Sequence, residues 1–260
     1  MPLPRLIPSV FLAHGSPMLA LNGGGWGTAV GKLGAEWQGL RGVLVCSAHW
    51  EAPGPIRISA AGKPGILHDF GGFPEALYHL DYPAPGSPAL AREAQELLQA
   101  AGLEAVLDFT HSLDHGAWVP LRYLAPRAEV PVVQISLPSS RTPQQLLATG
   151  RALGALRESG VLILGSGGIV HNLRRLDWED IREPEPWAAA FAQWIHERLL
   201  TGDQAALLDW QQAPGAAESV PTSEHLDPLF VALGAATQLP ALVYLGWQLG
   251  NLSLASYRFG

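Results

Sequence analysis

Residues 161–172 read VLILGSGGIVHN, a short apolar run that passes into small residues and then a histidine, and this pattern decides the fold. Apolar runs of roughly four to eight residues bounded by glycine, here residues 161–165, predict strands buried on both faces of a sheet. The same pattern predicts strands at residues 9–13 (SVFLA), 42–47 (GVLVCS) and 130–136 (VPVVQIS). Buried strands of this kind are typical of a largely parallel sheet that is covered by helices.

Segments with helical periodicity lie between these strands. Helices are predicted at residues 87–101, 142–159, 184–200 and 222–236. The first two begin with Ser-Pro or Thr-Pro and stop before a glycine, as helices commonly do. Weaker strands, of which the last two favour an antiparallel edge, are predicted at residues 56–60, 104–108, 241–245 and 252–257. Strands that alternate with helices predict an α/β fold, with a mostly parallel central sheet flanked by helices, in one domain spanning residues 1–260.

The composition of the chain limits what it can bind. The chain has 260 residues, of which 48% are hydrophobic and 15% are charged, so it can bury a large core. A single cysteine excludes an intrachain disulfide and a multi-cysteine metal site, so any metal must be held by the nine histidines with Asp or Glu. The net charge of −7 gives no reason to expect nucleic acid or an anionic membrane as a partner. No apolar run approaches the roughly 20 residues of a spanning helix, and the proline-rich N-terminus is a poor secretion signal, which favours a cytoplasmic protein.

Three of the strongest predicted strands lead to a histidine. His14 follows the first strand directly, His49 follows the second after one residue, and His171 comes after the glycine-rich end of residues 161–168. Ligands of open α/β sheets lie beyond the carboxyl ends of the strands, so we expect the three imidazoles to converge there on one point, although their spacing matches no known zinc motif. One histidine after a strand is more often a hydrogen-bonded structural residue, but three such placements in one chain favour a site.

Competing motifs are incomplete. The GSGG stretch at residues 165–168 lacks the third glycine of a GxGxxG loop, and the chain has no GxSxG elbow of a serine hydrolase. Cys46 lies inside a predicted apolar strand, which favours an inert core thiol over a nucleophile. His79, His111 and His196 follow no pattern that ties them to a site, and His196 is expected on an exposed helix face.

Seven motifs follow one another along nearly the whole chain: AHGSPM at residues 13–18, SAHW at 47–50, HDFGGFPEALY at 68–78, YPAPGSP at 82–88, DHGAW at 114–118, GSGGIVHN at 165–172 and PTSEHLDPL at 221–229. Each motif alone is weak, and the seven in this order are specific. With them the chain resembles the DODA-type (4,5-DOPA dioxygenase-like) branch of the class III extradiol ring-cleavage dioxygenases, relatives of the protocatechuate 4,5-dioxygenase catalytic subunit. The resemblance implies a single α/β domain with a metal at the strand ends.

The resemblance also implies the metal and its ligands. Non-haem Fe(II) is the expected working metal, and Zn²⁺ is expected to occupy the site in some purified protein. His14, His49 and His225 match the metal ligands of the family. His171 matches a histidine that acts as an acid–base residue or as a fourth ligand, and His115 matches a second catalytic histidine of the pocket.

Position 225 departs from the usual non-haem iron site, which has two histidines and one carboxylate. Glu224 precedes His225, and adjacent residues on a helix do not share a face, so only one of them is expected to bind the metal. The pattern of the branch favours His225. An all-histidine site of this kind would also suit Zn²⁺.

The substrate is expected to contact His68, Phe70, Trp50 and Asp114, of which the first two belong to the loop HDFGGFP. The implied reaction is cleavage of a catechol, such as a DOPA-like diol, by O₂ to a product of the muconic semialdehyde type. Two alternatives stay open. One is a zinc-dependent amide or ester hydrolase, in which the metal would activate a water molecule, and the other is a non-catalytic metal-binding protein on the same fold. No pattern indicates an oligomeric state.

Overall fold

The computed structural model describes residues 6–37 and 39–260, so residues 1–5 of the proline-rich N-terminus lie outside the described part. The strands are β1 Ser9–Ala13, β2 Gly42–Ala52, β3 Ile56–Ser59, β4 Ala105–Asp108, β5 Val132–Pro138, β6 Val161–Gly167, β7 Pro240–Tyr244, β8 Trp247–Gln248, β9 Leu252–Ser253 and β10 Ser256–Phe259. The helices are α1 Gly24–Ala35, α2 Glu75–Tyr78, α3 Pro88–Ala100, α4 His115–Leu124, α5 Pro143–Leu153, α6 Pro186–Thr201, α7 Gln204–Leu208, α8 Ala216–Ser219 and α9 Asp227–Gly234. A 3-10 turn, Ser223–His225, precedes α9.

One sheet of eight strands, in the order β4-β3-β5-β2-β6-β1-β10-β7, organises the molecule. Its centre is parallel, because β2 pairs with β5 and β6, and β6 also pairs with β1. The strand β10 pairs antiparallel with β1 and with β7, so the antiparallel edge predicted near the C-terminus is present. The predicted α/β fold with a mostly parallel central sheet is confirmed. The neighbours β1, β2 and β6 run in the same direction and bring their carboxyl ends to one edge.

Hydrophobic layers cover both faces of this sheet. Side chains of α3, α5, α6 and α9 pack with one face of the central strands around Phe11, Leu44 and Ile163. Side chains of α1 and α4 pack against the other face around Leu12 and Val45. Burial on both faces explains why these strands are apolar without interruption rather than alternating. In the described part of the chain, no helix has the length and apolar character needed to cross a membrane.

Three predicted elements differ from the observed ones. The strand predicted to end at residue 47 continues to Ala52, so His49 lies within β2 instead of after it. The predicted helix at residues 222–236 is interrupted, because the turn Ser223–His225 ends before α9 starts at Asp227. The predicted strand at residues 252–257 divides into β9 and β10, and β9 pairs only with β8 in a separate small sheet.

Helix α1 is absent from the predicted elements because its sequence, GGWGTAVGKLGA, is rich in glycine, which lowers helix propensity. The structure gives the reason for one of these glycines, Gly34. A Cβ atom at Gly34 would lie 2.0 Å from the backbone oxygen of Leu124, so α1 and α4 approach too closely for any side chain there. Packing against α4 therefore stabilises a helix that local propensity disfavours.

Candidate metal centre

Three histidines meet at the carboxyl edge of the central strands. His14 follows β1, His49 lies near the end of β2 and His225 closes the 3-10 turn before α9. One ring nitrogen from each lies within 4.8 Å of the others, and His14 Nε2 and His49 Nε2 are 3.0 Å apart. His14 and His225 are buried, and His49 is half-buried. The structure thus brings together the three residues that the sequence predicts as metal ligands.

Close backbone packing places His225 at the end of β6. The amide N–H of Gly168 donates to the carbonyl oxygen of His225 at 2.8 Å. A Cβ atom at Gly167 would lie 2.0 Å from that same oxygen, so the turn could not approach β6 if position 167 carried a side chain. Just after the turn, at the start of α9, Asp227 forms a buried ion pair with Arg141, with 2.6 Å between Arg141 Nε and Asp227 Oδ2. This ion pair holds the turn in place from the other end.

The Nδ1 atoms of His14 and His225 face away from the group of three histidines, and hydrogen bonds at these atoms fix the tautomers of the two rings. The Ser166 hydroxyl donates to the carbonyl oxygen of Gly116 and therefore accepts from His14 Nδ1–H, at 2.9 Å. His225 Nδ1–H donates to Glu224 Oε1 at 3.0 Å. Both rings then carry a lone pair on Nε2, which is the arrangement that protein partners impose on metal-ligating histidines. Glu224 lies on the outer side of His225 in this arrangement.

The inner ring nitrogens of His14, His49 and His225 are arranged as ligands of a divalent cation would be. His225 Nε2 is buried and has no hydrogen-bond partner among the described residues. Two ligands about 2.1 Å from a metal and at right angles to each other are about 3.0 Å apart, which is the separation of the His14 and His49 nitrogens. Burial, together with the neighbouring imidazoles, holds the pKa of His14 and of His225 well below the ordinary value. Neutral imidazole is the form that binds metals, so the donor set suits a divalent metal ion.

His171 lies against this group. Its ring stacks on that of His225, with centroids 3.3 Å apart and an interplanar angle of 7°. Burial lowers the pKa of His171 to about 4, with Glu224 opposing the shift and His115 adding to it. His171, Glu224 and His225 also offer three ligand atoms within 4.8 Å of one another. His171 therefore lies beside His225 and outside the group of ligand atoms from His14, His49 and His225, and its role as acid–base residue or fourth ligand stays a prediction.

His115 begins helix α4, and its ring centroid lies 3.9 Å from that of His49. A carboxylate that sequence reasoning missed, Asp69, adjoins it. Asp69 Oδ1 accepts the backbone N–H of His115 at 2.9 Å and lies 3.0 Å from Nδ1 of the same residue. Burial acts to raise the pKa of Asp69, but the contacts with His115 outweigh it and hold that pKa below its ordinary value. The sequence offered one indication that Asp69 belongs to the site, which is its position directly after His68 in the motif HDFGGFP.

The carboxylate of Asp114, expected from the sequence to contact the substrate, is buried and bonded to protein donors, and its contact with a substrate stays a prediction. It is 1% exposed, and its oxygens accept hydrogen bonds from Ser47 Oγ at 2.7 Å, from the amide N–H of Ala117 at 3.1 Å and from the side-chain amide of Gln134. Burial raises its pKa to about 6. Asp114 caps α4 and so fixes the start of the helix that carries His115.

Aromatic side chains border the imidazoles on one side. The ring of Phe70 meets the edge of His115 with centroids 5.6 Å apart, and it also contacts Tyr78 and Trp118. His68 contacts Phe70 and donates from Nε2 to the carbonyl oxygen of Leu80 at 3.2 Å. The loop predicted to border the substrate thus forms an aromatic wall beside His115.

Trp50 does not join this wall. It is 7% exposed, and its ring stacks in parallel on His111 with centroids 3.6 Å apart. Trp50 therefore packs with His111, and its contact with a substrate stays a prediction. His196 is half-buried instead of solvated, with its Nδ1 3.1 Å from the hydroxyl of Tyr257.

Comparison with known proteins identifies the group to which this arrangement belongs. The family described as the catalytic LigB subunit of aromatic ring-opening dioxygenase matches residues 9–260. The chain is 39% identical to "4,5-DOPA dioxygenase extradiol" of Escherichia coli (strain K12), over 98% of this chain and 95% of the relative. It is 38% identical to the protein of the same name from Portulaca grandiflora, over 96% and 95% of the two chains.

A solved structure agrees with these matches. The crystal structure of an uncharacterized protein from Escherichia coli K12 superposes with a TM-score of 0.84 and 33% sequence identity, covering 98% of this chain and 100% of that one. These matches cover the residues of the sheet, the histidines that meet at its carboxyl edge and the aromatic wall. The chain therefore belongs to the LigB family and is an extradiol, aromatic ring-opening dioxygenase.

Proposed function

We propose that the protein cleaves the ring of a catechol beside its diol with O₂, using Fe(II) held by His14, His49 and His225, and releases a product of the muconic semialdehyde type. The observation that carries this proposal is the group of three converging imidazoles, flanked by His171 and His115 in a family of ring-opening dioxygenases. The relatives named 4,5-DOPA dioxygenase extradiol support a DOPA-like diol as the substrate class.

The three ligands would leave open positions on the metal. When bound, Fe(II) would supply Lewis acidity toward both diol oxygens and a path for electrons from the diol to O₂. Because all three imidazoles are neutral, the full charge of the cation stays available to stabilise a catecholate. The same donor set would hold Zn²⁺, which lacks redox chemistry and would leave the protein inactive as a dioxygenase. We place the reaction in the reducing cytoplasm, where Fe(II) stays ferrous.

His171 and His115 are proposed to handle protons and hydrogen bonds. Burial keeps the imidazole of His171 neutral at neutral pH, so a ring nitrogen has a lone pair that can accept a proton from the diol. Returning that proton to the ring-opened product regenerates the neutral form. His115 lies beside His49, so its ring is placed to hydrogen-bond an oxygen of the bound reactants. The ring of Phe70 lies next to His115, so it would pack against the aromatic ring of the substrate.

The function is tested by loading the protein with Fe(II) under anaerobic conditions and offering a panel of catechols that includes DOPA. We expect O₂ uptake together with a yellow ring-opened product. Protein that binds iron and yet leaves every catechol intact would overturn the proposal, and hydrolysis of amide or ester substrates by the zinc-loaded form would point to the hydrolase alternative.

The roles of individual residues are tested by substitution. His171→Ala should keep the metal and lose turnover if His171 is the base. Loss of the metal instead would show that His171 is a fourth ligand.

A further inference from the structure

The carboxylate of Asp69 lies against His115. Neither the sequence motifs nor the resemblance to the family assigned Asp69 a role in the site. We propose that Asp69 is a positioning residue, whose carboxylate holds the His115 ring in one orientation and one tautomer for the ring-cleavage reaction. The inference rests on the proposed function for its catalytic consequence. Its structural part, the orientation and tautomer of His115, stands on the geometry alone.

Two contacts to one oxygen define the position of the His115 ring. Asp69 Oδ1 accepts the backbone N–H of His115 at 2.9 Å and approaches Nδ1 of the ring to 3.0 Å. The same carboxylate is farther from His49, with 3.7 Å between Oδ2 and Nδ1, so its closer partner is His115. The side chain of His115 is 6% exposed and that of Asp69 is 25% exposed, so bulk water competes little for the ring nitrogen.

A carboxylate beside Nδ1 decides where the imidazole carries its proton. The 3.0 Å approach to Nδ1 falls outside hydrogen-bond geometry, so Asp69 acts there through its charge. An ionised carboxylate is negative and has no proton to donate, so it stabilises the proton of neutral His115 on Nδ1. Nε2 then keeps its lone pair and can accept a hydrogen bond from a reactant. Carboxylates fulfil this function for imidazoles in hydrolase triads and behind metal ligands. Asp69 would act on His115 in the same way.

The neighbours of His115 make its orientation matter. The ring is packed between the rings of His49 and Phe70, with centroids 3.9 Å and 5.6 Å away. A rotated ring, or one with its proton on Nε2, would present a donor instead of an acceptor to the reactants. Asp69 also belongs to the loop between His68 and Phe70, so it ties the aromatic wall to the imidazole that the wall adjoins.

A different role must be distinguished from positioning. His49, Asp69 and His115 offer three ligand atoms within 4.8 Å of one another, so Asp69 could in principle bind a metal ion itself. A positioning residue leaves the metal content unchanged when it is substituted, whereas a ligand does not. A residue that merely secures the loop changes substrate affinity and leaves the tautomer as it was.

The test compares Asp69→Asn and Asp69→Ala with the control Asp108→Asn. Asp108 is matched because its Oδ1 also accepts the backbone N–H of a histidine, His111, at 3.1 Å. Histidine side-chain nitrogen NMR of the diamagnetic zinc form reports the tautomer of His115, and metal analysis reports the number of ions bound. Turnover of the iron-loaded protein gives kcat and KM separately.

We expect His115 to be the Nδ1–H tautomer in the wild type and in Asp108→Asn, and to gain the Nε2–H form in both Asp69 variants. Metal content should stay the same, and kcat should fall about 10–100-fold with KM little changed. An unchanged tautomer, a loss of metal, or a change confined to KM would each overturn the inference. The tautomer is measured without turnover, so a failure of the proposed ring cleavage would leave this result readable on its own.

Discussion

Replacing Ser166 by alanine removes the hydroxyl that orients His14, one of the proposed metal ligands. That hydroxyl accepts from His14 Nδ1–H at 2.9 Å and donates to the carbonyl oxygen of Gly116, and Ser166 is fully buried. Ser166→Ala therefore leaves a buried donor and a buried acceptor without partners. His14 becomes free to rotate or to move its proton to Nε2, the nitrogen that would bind the metal.

The expected losses follow from these two contacts. Leaving buried polar groups unpaired lowers the free energy of unfolding by about 1–3 kcal/mol. Losing the partner that orients a metal-ligating imidazole weakens metal binding by about 10–100-fold. That weakening corresponds to about 1.4–2.8 kcal/mol of binding free energy, at about 1.4 kcal/mol for each factor of ten.

The assay is a competition titration of Zn²⁺ or Fe(II) against a chelator, accompanied by denaturant unfolding of the metal-free protein. Ser9→Ala is a matched control, because Ser9 is a buried serine of β1 whose hydroxyl donates to the carbonyl oxygen of Ala232 at 2.8 Å. The control should lose a similar amount of stability and bind metal as the wild type does. Equal metal affinity in Ser166→Ala and Ser9→Ala, at equal losses of stability, would refute the orienting role of Ser166.

Three further outcomes are expected. His225→Ala should empty the metal site and Glu224→Ala should retain the metal with weaker affinity, as measured by metal analysis, and the reverse result would make Glu224 the ligand. Asp227→Ala should lower the free energy of unfolding by about 1–3 kcal/mol in calorimetry, because Arg141 loses its buried carboxylate partner and keeps only Glu51, and an unchanged free energy would contradict this. The metal-free protein should lose stability as the pH falls from about 6.5 to 4, because the unfolded chain protonates His171 in this window while burial lowers the folded-state pKa to about 4. His171 alone would contribute roughly 3 kcal/mol, and a denaturation free energy that stays flat over this window would be the opposite result.

The meeting of His14, His49 and His171 could be predicted from the sequence for a general physical reason. Parallel neighbours in a sheet end at the same edge, so residues near their carboxyl ends converge without any knowledge of side-chain geometry. The place of His225 came from the family pattern instead. Its turn is positioned by contacts with β6, and no periodicity in the segment before α9 indicates that packing.

Asp69 could not be found in this way, because it belongs to a loop whose path depends on tertiary contacts. The surroundings of Trp50 and Asp114 could not be predicted from the sequence for a related reason. Both stand next to a histidine of the site in sequence, yet the ring of Trp50 packs on His111 and the carboxylate of Asp114 is taken up by protein donors. Side chains that are adjacent in one sequence motif can point to different parts of the molecule. Only the packed structure shows which of them faces the site.

Mass spectrometry of the product formed under isotopically labelled O₂ tests the central claim most directly. The measurement would use Fe(II)-loaded protein and a DOPA-like catechol, with the product aldehyde reduced at once so that its oxygen does not exchange with water. Incorporation of both atoms of O₂ into a ring-opened product is the predicted result. Iron-loaded protein that leaves the catechol ring closed, or that opens it with oxygen taken only from water, would contradict the account.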